Sequence, residues 1–145
     1  MKKVIFTIAL FLVFNIGIQA QTPNKLIVEV TDLENNNGTL VLDVFKSEKG
    51  FPMATENAIK RLTVKPANGK GRFVIENLPK GIYAFAVVHD ENENGKLDTN
   101  MLGIPKEGAC TSKNAKGFLS PPDFEDARFN WPFHEDKMVV HMIYF

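Results

Sequence analysis

From Lys25 onward apolar and polar residues alternate. Leu26, Val28 and Val30 share one side of a pleat, with Glu29 and Thr31 on the other, which predicts a half-buried strand. Glu34-Asn35-Asn36-Asn37-Gly38 is rich in residues that tolerate positive φ, and beyond it Thr39 to Phe45 resumes with Leu40, Leu42 and Val44 on one face. Two such runs about such a turn predict a hairpin. Pro52 to Lys60 reads as a short helix capped near Thr55, with Ala58 and Ile59 as its only candidates for burial. Arg61 to Lys65 and Gly71 to Glu76 read as strands around an Ala67-Asn68-Gly69 turn, and Leu78-Pro79-Lys80-Gly81 leads into the run Ile82 to Val88. That run is apolar on both faces, as a central sandwich strand covered on both sides must be. Asp90 to Glu125 shows no sustained period, and Met138 to Phe145 is a closing strand that carries His141.

About seven strands at hairpin spacings with little helix predict an all-β fold, an antiparallel immunoglobulin-like β-sandwich formed by one domain over 21–145. The terminal aromatic resembles the end of an outer-membrane barrel, but eight strands of ~9–11 residues do not fit beside the irregular Asp90 to Glu125 stretch.

Ahead of the sandwich, Met1-Lys2-Lys3 is a short positive start, Val4 to Ile18 is nearly uninterrupted apolar sequence, and Ala20 offers a cleavage point. This reads as a signal peptide over 1–20. The apolar run is shorter than the ~20 residues a membrane-spanning helix needs, so no membrane span is expected in the mature form. An exported chain, periplasmic or at the cell surface, follows. The 17 basic and 17 acidic residues balance, and removing Lys2 and Lys3 leaves the mature chain mildly acidic. A nucleic-acid partner is therefore not expected, since phosphate neutralisation needs a clustered basic surface. The single Cys110 rules out an internal disulfide and reads as a small, partly buried apolar residue.

The most specific local pattern is Asp90-Glu91-Asn92-Glu93-Asn94-Gly95-Lys96-Leu97-Asp98, or D-x-N-x-N-G-x-x-D. Calcium takes six to eight hard oxygen ligands, and side chains at alternating positions converge on one ion only if the backbone then turns sharply. Gly95 supplies the turn. Asp90, Asn92 and Asn94 would offer side-chain oxygens, Lys96 its carbonyl and Asp98 a direct or water-mediated contact, with Glu107 folding back to complete the shell. The twelfth position is Met101 instead of the bidentate Glu of an EF-hand, so a structural Ca²⁺ of modest affinity is expected, with Kd on the order of 10⁻⁴–10⁻³ M. The competing reading is an Asx-rich turn that satisfies itself and needs no ion.

Several blocks together resemble a secreted bacterial family, domain of unknown function 2141. They are Ser47-Glu48-Lys49-Gly50-Phe51-Pro52, Gly71-Arg72-Phe73, Leu78-Pro79-Lys80-Gly81-Ile82-Tyr83-Ala84, Val88-His89-Asp90 through Asp98, Gly103-Ile104-Pro105-Lys106-Glu107-Gly108 and Pro122-Asp123-Phe124-Glu125-Asp126-Ala127. The family's name supplies no activity. The Phe73…Leu78-Pro79…Gly81…Tyr83 portion is also similar to transthyretin-like and carboxypeptidase-regulatory-like sandwiches, which implies a prealbumin-like form of the fold. In this step Pro79 fixes φ, Gly81 permits the turn, and Tyr83 buries its ring while its hydroxyl seeks a backbone partner.

An enzyme would have to draw on His89, His134 and His141, on Cys110 and on scattered acids. The chain contains no HExxH, G-x-S-x-G or phosphate-cradling glycine loop. A non-enzymatic protein is the expectation, with no catalytic residues and no cofactor besides Ca²⁺. Two alternatives differ in what they require. A module that binds an envelope or extracellular glycan or protein would need Phe118, Phe124, Phe129 and Trp131 at the surface. The same aromatics could instead plug the end of the sandwich. A metal-dependent hydrolase would need its three His gathered together.

Overall fold

The structure, a computed structural model, describes residues 24–118 and 120–145. The expected signal peptide over 1–20 lies outside the described residues. Two sheets face one another. The smaller has the order β4(Gly71–Glu76)-β1(Lys25–Thr31)-β8(Lys137–His141), and the larger has the order β3(Lys60–Val64)-β2(Thr39–Phe45)-β5(Gly81–Asp90)-β6(Ala109–Thr111), with β7(Phe129–Trp131) pairing the start of β5. The protein is an all-β sandwich. Its one parallel pairing among the described strands is β1 with β8, with Val28 opposite Met138.

The β1–β2 hairpin expected from sequence does not form. β1 pairs antiparallel with β4, Val28 opposite Phe73, whereas β2 pairs with β3 and β5, placing Leu42 between Leu62 and Val87. Alternation fixes which face of a strand is buried but not which strand lies beside it, so two core-facing strands of opposite sheets read the same as a hairpin. The intervening segment crosses between the sheets and is tied to the β3–β4 turn: Leu33 N–H donates to Gly69 O at 3.2 Å, and Gly69 N–H donates to Asn36 Oδ1 at 2.9 Å.

The core lies between the sheets. Leu26, Val28, Val30, Phe73 and Ile75 come from one side and Leu40, Leu42, Val44, Tyr83, Phe85 and Val87 from the other, with Trp131 closing one end. Tyr83 behaves as expected, its buried ring sending the hydroxyl to Pro79 O at 2.8 Å. The expected helix over Pro52 to Lys60 is instead a single 3₁₀ turn, Thr55–Asn57, without a side-chain cap; Ala58 is half-buried and Ile59 exposed. A segment lacking an apolar stripe gains too little to offset helix nucleation. It serves as a cover, with Phe51 packed edge-on against both Phe45 of β2 and Phe124 of the short helix α1(Phe124–Ala127).

The cover explains why β5 is apolar on both faces. On its outer side Ala86 and Val88 floor, with Val41 and Asp43, a cavity of about 210 Å³ walled by Pro52 and Met53 on one side and Gly95 to Leu97 on the other. Arg61 bonds both Asp43 oxygens at 2.7 Å and Gly95 O at 3.2 Å, which ties β3 and β2 to the loop leaving β5.

Candidate functional site

That loop follows directly from Asp90, the last residue of β5. Asp90 points away from the core but is only 2 % exposed, and its carboxylate reaches forward into its own loop. Oδ1 accepts Asn94 N–H at 3.0 Å and Oδ2 accepts Gly95 N–H at 2.7 Å. The chain can present both donors because Glu93 and Gly95 adopt positive φ, 60° and 81°. Asn92 Oδ1 accepts Asn94 N–H at 3.1 Å and Asn94 Oδ1 accepts Lys96 N–H at 3.0 Å, a pair of nested Asx turns. Both amide nitrogens then donate to one oxygen, Asp98 Oδ2, at 2.6 Å from Asn92 and 2.9 Å from Asn94. These two bonds, Asn92's first, hold the Asp98 carboxyl below the usual carboxylate range.

Glu107 does fold back, and it is 6 % exposed. Its contacts are backbone donors: Oε1 accepts Glu91 N–H at 3.1 Å and Oε2 accepts Asp98 N–H at 3.0 Å. Two nearly buried carboxylates thus take four loop N–H groups that would otherwise be lost to solvent, and each such charge-assisted bond is stronger than a neutral one. Asp90, Asn92, Asn94 and Asp98 lie in one hydrogen-bonded loop, where the atoms that meet are the Asn92 and Asn94 amide nitrogens on Asp98 Oδ2 while the Asp90 oxygens grip backbone N–H groups. Lys96 contributes its N–H to the turn, and Glu107 braces the two ends of the loop from outside. Among the described residues no three His, Cys, Asp or Glu side chains are placed to share a metal ion. An ion here would therefore draw on amide and backbone oxygens as well as on carboxylates.

Residues that sequence reasoning did not single out complete the mount. A Cβ on Gly38, at φ 63°, would lie 2.0 Å from Asp90 O, so the β1–β2 crossover packs directly against the loop's first residue. His89 is fully buried; its Nε2–H donates to Asn37 O at 2.8 Å, leaving Nδ1 to accept from Tyr144 Oη at 2.6 Å. Tyr144 arrives because the chain leaves β8 and crosses to the larger sheet, where Ala109 and Ile143 exchange backbone bonds at 2.9 and 3.1 Å. Its ring covers Gly108, where a Cβ would come within 2.6 Å of Cε1, and burial holds its phenol above the usual range. A turn glycine and a glycine after the Glu107 step were the only sequence signals of these contacts.

The other candidates are dispersed. His89 lies on β5, His134 is exposed between β7 and β8, and His141 on β8 bonds Asp32 and Thr31 through the same Nδ1, at 2.7 and 3.0 Å. Cys110 is buried, and burial pushes its thiol up, away from the reactive thiolate. The aromatic platform is not assembled: Trp131 and Phe129 are core residues, Phe124 is half-buried, and of the four only Phe118 stands out, 90 % exposed. A stacking surface needs exposed ring faces; packing against Phe85 and Phe133 has taken those of Phe129.

No curated protein and no solved structure matches the chain. No helix among the described residues is long and apolar enough to cross a membrane. A family model described as an uncharacterized protein conserved in bacteria, DUF2141, matches residues 28–139, from within β1 to within β8. The match takes in the Asp90–Asp98 loop and Glu107, and the chain belongs to the DUF2141 family of bacterial proteins.

Proposed function

We propose that the chain is an exported, non-enzymatic β-sandwich whose Asp90–Asp98 loop takes a structural Ca²⁺. The observation that carries the reading is the fixed posture of Asp90. Both carboxylate oxygens are pinned to Asn94 and Gly95 N–H, which holds the loop in a turn that gathers Asn92, Asn94 and Asp98 together, the two amide nitrogens donating to Asp98 Oδ2. A carboxylate or amide oxygen that accepts one N–H keeps a lone pair for a cation, so Asp90, Asn92 and Asn94 need not give up their turn bonds to bind one. Asp98 alone would exchange partners, releasing two amide donors for the ion. That exchange, with two formal charges in the ring, is consistent with Kd on the order of 10⁻⁴–10⁻³ M. Export rests on the apolar N-terminal run, and the absence of catalysis on the dispersal of the histidines and the buried thiol.

Thermal unfolding of the metal-stripped protein tests this. Ca²⁺ at ten times Kd adds about 1.4 kcal/mol, a rise of several degrees for a domain of this size. Mg²⁺ gives less, and Asp98→Asn, which keeps the side-chain shape, abolishes the Ca²⁺ increment. An unchanged midpoint at several millimolar Ca²⁺ leaves a self-satisfied turn in place of an ion site.

A further inference from the structure

The chain holds three Asn-Gly steps, Asn37-Gly38, Asn68-Gly69 and Asn94-Gly95. At such a step the glycine nitrogen can attack the asparagine side-chain carbonyl, because no Cβ on the glycine shields the approach. The attack needs a nitrogen free to lose its proton and a side chain free to turn toward it. The fold grants these conditions unequally.

Gly95 N–H donates to Asp90 Oδ2 at 2.7 Å, and the Asn94 side chain is held at both ends, Oδ1 by Lys96 N–H at 3.0 Å and Nδ2 on Asp98 Oδ2 at 2.9 Å. Gly69 N–H donates to Asn36 Oδ1 at 2.9 Å. Gly38 differs from both. Among the described residues its N–H has no acceptor, and the amide of the exposed Asn37 has no partner. The Asn37 backbone is fixed meanwhile, its N–H donating to Asn35 Oδ1 at 2.9 Å and its carbonyl accepting His89 Nε2–H at 2.8 Å. A donor on that carbonyl draws electron density from the peptide it shares with Gly38 and makes the Gly38 N–H a better acid.

We infer that Asn37 is a site of spontaneous deamidation. Gly38 N gives its proton to water and bonds to Asn37 Cγ; the Cγ–Nδ2 bond breaks, and the nitrogen takes up a proton and leaves as ammonia. Water then opens the cyclic imide at either carbonyl, giving an aspartate or an isoaspartate at position 37. In the isoaspartate the main chain runs through the former side chain and is one methylene longer, and the carbonyl gripped by His89 becomes a free carboxylate. That charge enters on the imidazole that Glu91 already approaches to 4.0 Å. Gly38 fits so closely that a Cβ would lie 2.0 Å from Asp90 O, so the added methylene shifts the crossover against the first residue of the loop. The reaction couples a slow covalent change to the order of the Asp90–Asp98 loop, whether or not the loop holds an ion.

Ageing the purified protein in mildly alkaline buffer, followed by peptide mapping with enzymatic methyl labelling of isoaspartate, tests this. In the folded protein Asn37 should convert faster than Asn94 by on the order of 10–100-fold and faster than Asn68 severalfold, since a bonded nitrogen must first be released. In denaturant the three rates should converge. Asp90→Ala, which frees Gly95 N–H, should speed Asn94 by on the order of tenfold while Asn68 stays slow, a pattern that global unfolding does not give. Asn37→Gln should keep the unfolding midpoint and remove the leading product. The isoaspartate form, separated by its added charge, should unfold at a lower midpoint than the unaged protein. Conversion of Asn37 no faster than that of Asn94 or Asn68 in the folded state would overturn the assignment, as would a lead of the same size in denaturant. An unchanged midpoint for the isoaspartate form would overturn the coupling to the loop.

Discussion

The two halves of the β5–β6 connection are built in opposite ways. Over Asp90 to Asp98 the backbone is gripped by carboxylates: Asp90 and, from beyond the loop, Glu107 are almost fully buried, and their four oxygens take four loop N–H groups. Over Thr99 to Ile104 the backbone closes on Asn100 and the apolar side chains face outward. A buried carboxylate orders the first half and supports the second, which makes no demand on the core. The lesson is that loop order and core packing are separable: a long irregular connection can be held by charge-assisted bonds to its own backbone and then carry an apolar tip at no cost to the fold.

If this division is right, substitutions should sort by half. The largest effect is expected at the braces: Asp90→Ala strands Gly95 N–H and leaves Asn94 N–H with Asn92 Oδ1 alone, and Glu107→Ala strands Glu91 and Asp98 N–H, each costing roughly 1–3 kcal/mol by chemical denaturation. A loss below ~0.5 kcal/mol at both would mean that solvent substitutes freely for the carboxylates. Next comes Gly38→Ala, whose Cβ meets backbone at Asp90 O and whose φ of 63° strains any side chain. It should cost about 1–3 kcal/mol and broaden the amide resonances of the loop across from it.

A smaller effect is expected in acid. Because Asp98 is held below the usual carboxylate range by the Asn92 and Asn94 amides, its contribution is full above the unfolded-state pKa. It is lost as pH falls through the lower folded value. An acid-limb stability curve for Asp98→Asn should run flatter than that of the parent over that window; parallel curves would deny the bonds. The smallest effect is at the tip, where Met101→Ser/Leu102→Ser should leave stability within ~0.5 kcal/mol; a larger loss would tie the tip to the core.

The same contrast marks what could be read from the chain. Leu26-Val28-Val30 and Leu40-Leu42-Val44 announced two core-facing strands, and the two-sided apolar run of β5 announced the central one, because burial leaves a periodic trace. Strand pairing leaves none, so the β1–β2 crossover read as a hairpin and the parallel β8 was not foreseen. β6 and β7, three residues each, are too short for any period to register. At the site, the D-x-N-x-N-G spacing foretold the turn because Asx bonds and a glycine turn are local. Glu107 could be guessed to return but not what it would grip, and Tyr144 over Gly108 depends on a crossing that only the assembled sheets define.

The posture of the Asn92 and Asn94 side chains decides the account most directly. In the metal-free protein their amide groups donate to Asp98, and Ca²⁺ should release them. Calcium titration followed by the side-chain amide resonances of these two residues is therefore the measurement to make. The account predicts a saturable shift of both with a millimolar midpoint, not reproduced by Mg²⁺, while the Asn94 and Gly95 backbone amides stay bonded to Asp90. Resonances that ignore Ca²⁺ while the backbone amides remain protected would contradict the ion site and leave a turn that is complete in itself.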